Sequence, residues 1–257
     1  MSYQNNNQLE LSALISADSF FYTLIESQID PGVIGYSHLR EFSSIISGES
    51  GGRSIEKSKF AVLNGHFTLI PHAEYDSDHL SSFLIDDVSI DKKKDHIFRS
   101  DISEKFDVRI IYSVHNSLIK EINQHVENPS LCHFVTALLD GIGYSEMENS
   151  HIEACYVGDQ MVVILSEKRR LMLANVFEVS EPVSAIYFLS LVCQNFNLDP
   201  NSVSIFLSGA IEEGGPFHEA ITKYFGNLHF RDSGFKQKDE LTNSHRFFPF
   251  SCISQCA

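Results

Sequence analysis

The chain has 257 residues, of which 43% are hydrophobic and 21% are charged, and its net charge at pH 7 is -15. These values predict a folded, soluble protein of one large domain or two small ones, and they exclude wholesale disorder. The negative charge disfavours nucleic acid and anionic membrane surfaces as partners. No apolar run reaches the roughly 18 residues of a membrane helix, and the start MSYQNNNQ is unlike a signal peptide. We therefore expect a cytoplasmic protein without membrane insertion.

The first half of the sequence opens with three strand-like runs. LELSALI and FFYTLIE are separated by a short polar turn that contains Asp18, and a third run covers residues 33–42. Residues 47–58 are rich in glycine and serine and predict an exposed loop. KFAVLNGHFTLIP predicts a β-hairpin, because Asn-Gly is the preferred pair of a type I′ turn. Helices near 76–84 and 117–125, the strand FDVRIIYSV and the strand-and-helix segment LCHFVTALL complete this half.

The second half repeats this order more clearly. Three strands are predicted over 152–157, 160–166 and 170–179, followed by a helix over 183–196 that Pro182 introduces. The strand VSIFLSG, a helix over 217–225 and the strand LHFRD complete it. A shift of 141 positions places Asp18 on Asp159 and Ala17 on Gly158, with apolar runs on both sides of each turn. The two halves therefore indicate an internal duplication.

Three segments follow from these patterns. We expect a first subdomain over 9–145, decorated by an insertion around Asn64-Gly65, and a second over 150–235. Residues 236–257 are predicted to pack as an irregular tail whose Phe247, Phe248 and Phe250 cover apolar surface. An exposed docking peptide is the alternative for this tail.

The residue types that usually hold metals or form disulfides do not occur here in suitable patterns. Five cysteines are an odd number, and Cys132, Cys155 and Cys193 lie in apolar runs, so we expect reduced thiols and no disulfide. Cys252 and Cys256 lack a second pair at zinc-ligand spacing. One dense polar cluster does not place its ligands on one helical face, so no metal site is predicted there: His72, Glu74, Asp76, Asp78 and His79.

One pentapeptide suggests a serine hydrolase. Gly48-Glu49-Ser50-Gly51-Gly52 satisfies G-x-S-x-G, but a nucleophile elbow needs a buried strand before the serine and a helix after it. The flanks SSIIS and RSIEKSK do not fit that requirement. We therefore interpret the segment as a flexible loop, and labelling of Ser50 by a fluorophosphonate probe would support the hydrolase alternative.

The order of elements resembles a known superfamily. Three meandering strands followed by helix, strand, helix and strand, twice over, are similar to the ribonuclease-H-like halves of the actin-like ATPases, among which are actin, sugar kinases, heat-shock 70 chaperones and PilM-type pilus-assembly proteins. In detail the chain resembles an uncharacterised bacterial family of that superfamily. The segments that carry the resemblance lie within about residues 9–231 and are LSALISADSFFYTLIES, FTLIP, VRIIYSV, IFLSGAI and KYF. The resemblance implies an α/β fold of two ribonuclease-H-like subdomains with mixed sheets.

The resemblance also implies where a nucleotide would bind. Members that hydrolyse ATP use each first hairpin as a phosphate loop, with an Asp for magnesium or water, glycines for close backbone approach, and a Ser or Thr. The corresponding residues are Asp18 in the first hairpin, and Gly158 and Asp159 in the second. Ser208 and Gly209 follow a buried strand at the place of the adenosine loop. These five are the candidate cofactor-binding residues, for ATP and magnesium.

The neighbours of these residues argue against catalysis. The first hairpin has no glycine, and the second has one glycine before its Asp and no hydroxyl after it. Both are interpreted as tight two-residue turns, in which aspartate is common because of turn geometry and without any role in ligand binding. We therefore expect no catalytic residue, no required cofactor, and a scaffold or interaction role with another protein as partner. An ATPase or phosphotransferase with a rearranged site between the subdomains is the alternative.

Overall fold

The computed structural model describes residues 9–16, 19–26, 33–49, 55–84, 95–143, 149–235 and 243–256. These residues form two compact units. The first contains the described residues up to Asp140 together with Phe235 and residues 250–256, and the second contains those of Gly141–Gly234 and Asn243–Pro249. Both units are mixed α/β structures.

The first unit contains the elements β1 (Leu9–Ser16), β2 (Ser19–Glu26), β3 (Gly35–His38), α1 (Phe42–Glu49), β4 (Ile55–Leu63), β5 (Phe67–Pro71), β6 (His96–Ser103), β7 (Val108–His115), α2 (Asn116–His125), β8 (Ser130–His133) and α3 (Phe134–Gly141, whose last residue is counted with the second unit). Its main sheet has the order β3-β2-β1-β4-β8, antiparallel through β3, β2 and β1 and parallel from β1 through β4 to β8. The order β5-β7-β6 forms a separate antiparallel sheet.

The second unit contains β9 (His151–Val157), β10 (Gln160–Glu167), β11 (Arg170–Glu178), α4 (Pro182–Asn195), β12 (Ser204–Gly209), α5 (Pro216–Ile221) and β13 (Leu228–Phe230). Its sheet has the order β11-β10-β9-β12-β13, again with three antiparallel strands followed by two parallel additions. Both main sheets therefore share one topology, which agrees with the repeat predicted from the sequence. The last helix is α6 (Phe248–Gln255).

Each main sheet has a core on one face. In the first unit, side chains of β1, β2 and β4 pack with Phe42 of α1 and Ile122 of α2. In the second unit, alternate residues of β9 and β10 pack with α4 and α5, and every residue of β9 is buried. A strand that is buried on both faces is expected at the centre of a sheet.

The predicted Asn64-Gly65 hairpin is wrong. Strands flank the dipeptide, but β4 pairs with β1 and β8, while β5 pairs with β7 of the smaller sheet. Neither residue has the positive φ of a type I′ turn. Instead, the Asn64 side chain accepts a hydrogen bond from His66 N at 2.9 Å and donates one to Ser113 O at 3.1 Å. The dipeptide therefore redirects the chain from one sheet to the other.

Two further segments differ from their predictions. The third strand is shorter than residues 33–42, because a 3-10 helix, Leu39–Glu41, and α1 follow it, and Ser37 Oγ donates to Glu41 Oε2 at 2.6 Å. Part of the expected 47–58 loop belongs to α1 and β4. The predicted irregular tail forms the 3-10 helix Ser244–Arg246 and then α6, although its Phe247, Phe248 and Phe250 are buried as expected. Helix formation satisfies the backbone groups of this buried segment internally.

Candidate functional site

The β9–β10 hairpin carries Gly158 and Asp159 at its turn. Val157 pairs with Gln160, so these two residues alone connect the strands. Gly158 has a φ of 55°, a left-handed conformation that glycine adopts without strain, and both turn residues are exposed. The Asp159 carbonyl accepts a hydrogen bond at 2.7 Å from the backbone N–H of Val179, the residue that follows β11. The sequence prediction of a tight two-residue turn is correct for this hairpin.

Ser208 and Gly209 end β12, which runs parallel to β9. The carboxyl ends of parallel neighbours lie at the same edge of a sheet, so the structure brings Gly209 to the edge that carries the Gly158-Asp159 turn. Gly209 pairs with Tyr156 at a φ of 79°, and a Cβ there would lie 2.1 Å from the Tyr156 carbonyl oxygen. The neighbouring Ala210 N donates to that same oxygen at 2.8 Å. Close packing of two strands therefore accounts for this glycine.

The Ser208 hydroxyl is engaged by a neighbouring strand of the same sheet. Its side chain is buried and hydrogen-bonds the thiol of Cys155, the residue paired with it on β9. Burial raises the pKa of Cys155 to about 12, and the Ser208 hydrogen bond offsets only part of this rise. A hydroxyl used in this way is not presented to a ligand beyond the strand end.

The loop after Gly209 is acidic. Glu212 and Glu213 are exposed, and Asp159 is exposed in the turn at the same edge. Neither the turn nor residues 208–215 contain a Lys or Arg. Negative side chains repel phosphate groups. At this edge, the residues present fit a magnesium-bound triphosphate poorly.

Asp18 and the motif serine cannot be placed in the same way. Asp18 lies outside the described residues, although its strands are defined: Ser16 pairs with Ser19, so two residues connect β1 and β2. The first hairpin therefore has the same length as the second. Ser50 of the G-x-S-x-G pentapeptide also lies outside the described residues.

The second unit contains a buried ion pair that was not predicted from the sequence. The Arg231 guanidinium donates through Nε to Glu153 Oε2 at 2.9 Å and through Nη2 to Glu153 Oε1. The Glu153 and Arg231 side chains are 3% and 7% exposed. His151 Nε2 lies 3.4 Å from Glu153 Oε1, and the Ser166 hydroxyl contacts the His151 ring. A charged residue inside the apolar segment HIEACYV was the available signal, because buried charges require partners.

A second buried polar cluster lies in the first unit. Asp101 accepts hydrogen bonds from His133 N at 2.6 Å, Thr136 Oγ1 at 3.0 Å and the Tyr112 hydroxyl at 3.1 Å, and burial raises its pKa. The His133 ring contacts the Asn64 carbonyl, and burial lowers the pKa of His133 to about 4. These contacts hold β8 and the start of α3 against β6. Both Asp101 carboxylate oxygens and the His133 ring have hydrogen-bond partners within the protein, so we assign the cluster a structural role.

The described residues contain no group of three or more His, Cys, Asp or Glu side chains that could hold a metal ion. All five cysteines are free thiols and buried. Among the helices of the described part of the chain, none is long and apolar enough to cross a membrane.

The fold is that of known solved structures. A Bacteroides thetaiotaomicron protein, described as having an actin-like ATPase fold and unknown function, shares 16% identity with this chain at a TM-score of 0.75, over 100% of this chain and 99% of that one. PilM of the PilM-PilN type IV pilus biogenesis complex matches with 10% identity and a TM-score of 0.58, over 95% and 96%. The ethanolamine utilization protein EutJ from Carboxydothermus hydrogenoformans matches with 8% identity and a TM-score of 0.51, over 96% and 90%. No curated protein matches the chain.

These likenesses and the repeated sheet topology define a protein of the actin-like ATPase fold. The sequence model of one family also matches residues 56–228. The chain belongs to this family, Protein of unknown function (DUF3822). The family resemblance inferred from the sequence is thereby confirmed.

Proposed function

We propose that this chain is a non-catalytic protein of the actin-like ATPase fold that acts by binding another protein. The observation that carries the proposal is the length of the two equivalent hairpins. Ser16 pairs with Ser19 and Val157 pairs with Gln160, so each connection has only two residues. A phosphate cradle needs several successive backbone N–H groups that converge on one anion. The two-residue turn at Gly158-Asp159, between paired strands, does not supply them.

The surroundings of the second hairpin support the same conclusion. Gly209 is explained by its contact with Tyr156, and the Ser208 hydroxyl is engaged with Cys155. The exposed carboxylates of Asp159, Glu212 and Glu213 disfavour a bound polyphosphate. Of the residues that the superfamily resemblance assigned to ATP, the four that the structure describes, at positions 158, 159, 208 and 209, therefore each have a structural explanation or an unfavourable charge.

Nucleotide titration tests the non-catalytic part of the proposal. We expect millimolar ATP or ADP with magnesium to leave the melting temperature unchanged and phosphate release to stay at the buffer level. A site filled at 100 times its Kd would stabilise the protein by about 2.7 kcal/mol, so the measurement is sensitive. Stabilisation that Asp159→Ala abolishes would contradict the proposal. Glu167→Gln is the matched control, since it removes a carboxylate at the other end of β10.

Helix α4 supports a protein partner. Its sequence PVSAIYFLSLVCQN contains no charged residue, and it exposes Val183 by 63% and Tyr187 by 59%. These residues are four positions apart and so share one face of the helix. Exposed apolar side chains grouped on one surface are typical of sites that bind proteins. The exposed Glu178 and Glu181 precede the helix, and the chain is acidic overall, so we assign to this face a partner segment with apolar side chains flanked by Lys or Arg.

Position-specific cross-linking tests this assignment. A photoreactive amino acid at position 187, introduced in cells that produce the protein, should cross-link to a partner peptide with apolar residues next to basic ones. The same probe at position 224 is the control, because Tyr224 is 57% exposed but lies outside α4. Val183→Glu should remove the product. A product of two copies of this chain, or equal products at both positions, would overturn the assignment.

A further inference from the structure

A row of polar side chains crosses the first main sheet on the face opposite its core. Ser12 of β1 pairs with Lys59 of β4, and Lys59 pairs with Ser130 of β8. Paired residues of neighbouring parallel strands point to the same face. The adjacent positions Ala13 and Phe60 belong to the core on the other face.

Residues 250–256 lie over this polar row. Ser12 Oγ donates to the Phe250 carbonyl at 3.0 Å. The Lys59 ammonium donates to the carbonyls of Ser254 at 2.8 Å and Cys256 at 2.6 Å. Two charge-assisted hydrogen bonds from one lysine therefore hold the end of α6 and the next residue in place.

Cys132 belongs to the same face. It pairs with Ala61, two positions beyond the Lys59–Ser130 pair on both strands, so its side chain points toward the segment that Lys59 binds. Cys132 and Cys256 are each 4% exposed, and their thiols are within hydrogen-bonding contact of one another. Two free thiols from distant parts of the sequence thus meet in one buried place.

We propose that Cys132 and Cys256 are a redox pair, and that their oxidation to a disulfide fastens residues 250–256 to β8. The oxidant is a small disulfide such as glutathione disulfide. The Cys256 thiolate attacks one of its sulfurs and releases one glutathione, which leaves a mixed disulfide on Cys256. The Cys132 thiolate then attacks the Cys256 sulfur and releases the second glutathione. The two protein thiols lose two electrons and two protons, which the two released glutathione molecules carry.

The fold controls when this reaction occurs. The hydrogen-bonded Cys256 thiol and burial raise the pKa of Cys132, which keeps the docked Cys132 thiol protonated and slow to react. Thiol–disulfide exchange therefore begins when residues 250–256 leave the sheet and expose Cys256. The disulfide with Cys132 forms when these residues return to the sheet. The Lys59 hydrogen bonds oppose this opening, so they set the rate of oxidation.

Peptide mapping of the full chain after incubation with glutathione disulfide tests the proposal. We expect a protein that has lost two hydrogens in intact mass, a Cys132–Cys256 linkage in the non-reduced digest, and complete reversal by dithiothreitol. Amide hydrogen exchange in residues 250–256 should become at least about tenfold slower in the oxidised protein. Cys132→Ser and Cys256→Ser should each abolish the linkage, whereas Cys252→Ser, which lies in α6 and is also buried, should retain it.

A variant of Lys59 tests whether the docking of residues 250–256 controls the reaction between Cys132 and Cys256. Lys59→Met should accelerate linkage at least about tenfold, since it removes two hydrogen bonds to the docked segment. Circular dichroism and melting curves verify that each variant remains folded. A glutathione adduct that persists without linkage, a disulfide that joins other cysteines, or linkage that forms only in denaturant would overturn the proposal. None of these readouts depends on nucleotide or partner binding.

Discussion

Arg231→Met is expected to destabilise the second unit by about 3–5 kcal/mol, because it leaves the Glu153 carboxylate buried without its partner. Both hydrogen bonds of the pair come from the Arg231 guanidinium. The Arg231 Cζ also lies 3.9 Å from the centroid of the Phe206 ring and 5.6 Å from that of Phe248. The substitution therefore removes a stacked cation as well as an ion pair. Urea unfolding monitored by circular dichroism measures the effect.

The double variant Glu153→Met with Arg231→Met is the control for this experiment. Apolar side chains of similar volume avoid the unpaired charge, and replacing a buried ion pair in this way is often neutral or stabilising. We expect the double variant to be more stable than Arg231→Met alone by at least about 2 kcal/mol. Equal destabilisation in the single and double variants would mean that packing, and not the unpaired carboxylate, dominates at this place.

Gly209→Ala is expected to destabilise the second unit by about 3 kcal/mol or more. An added Cβ would meet the Tyr156 carbonyl oxygen at 2.1 Å, at a backbone position with a φ of 79°. The strain of a left-handed alanine costs about 1–2 kcal/mol. Separation of β12 from β9 would also weaken the hydrogen bond from Ala210 N to Tyr156 O. Denaturant titration gives the free energy of unfolding directly.

Gly214→Ala isolates the conformational part of that cost. Gly214 has nearly the same backbone angle, a φ of 75°, but no atom lies within 4 Å of an added Cβ. We expect a loss of only about 1–2 kcal/mol, which is the strain alone. If both alanine variants lost equal stability, the contact with Tyr156 would not explain why glycine occupies position 209. The glycine would then again be a candidate ligand-binding residue.

Local sequence patterns predicted most strands of both main sheets, since alternating apolar residues and short turns are local properties. They could not predict which strands pair across long separations. Asn64-Gly65 shows this limit, because its turn preference is the same whether the following strand returns to β4 or enters another sheet. β5 joined β7, more than 35 residues later in the chain, through the pairing of Phe67 with Tyr112.

The same limit applied to the candidate site: local features were predictable from the sequence, and contacts between distant residues were not. The two-residue turn at Gly158-Asp159 was predictable from residue types. The structural reason for Gly209 was not, because it depends on how closely a parallel neighbour approaches. The Glu153–Arg231 pair joins residues 78 positions apart. A charge inside an apolar strand indicates that a partner exists, but the sequence does not say which residue it is.

The first unit is discontinuous in sequence, and this has a consequence for its synthesis. Its sheet strands lie before Asp140, yet residues 250–256 that cover their outer face are translated only after the whole second unit. During synthesis, the Ser12 and Lys59 side chains therefore lack these hydrogen-bond acceptors until more than a hundred further residues have been translated. The second unit also receives residues 243–249 last. A ribosome that stalls before residue 243 thus leaves two incomplete units, and both gain their remaining described residues only when positions 243–256 have been translated.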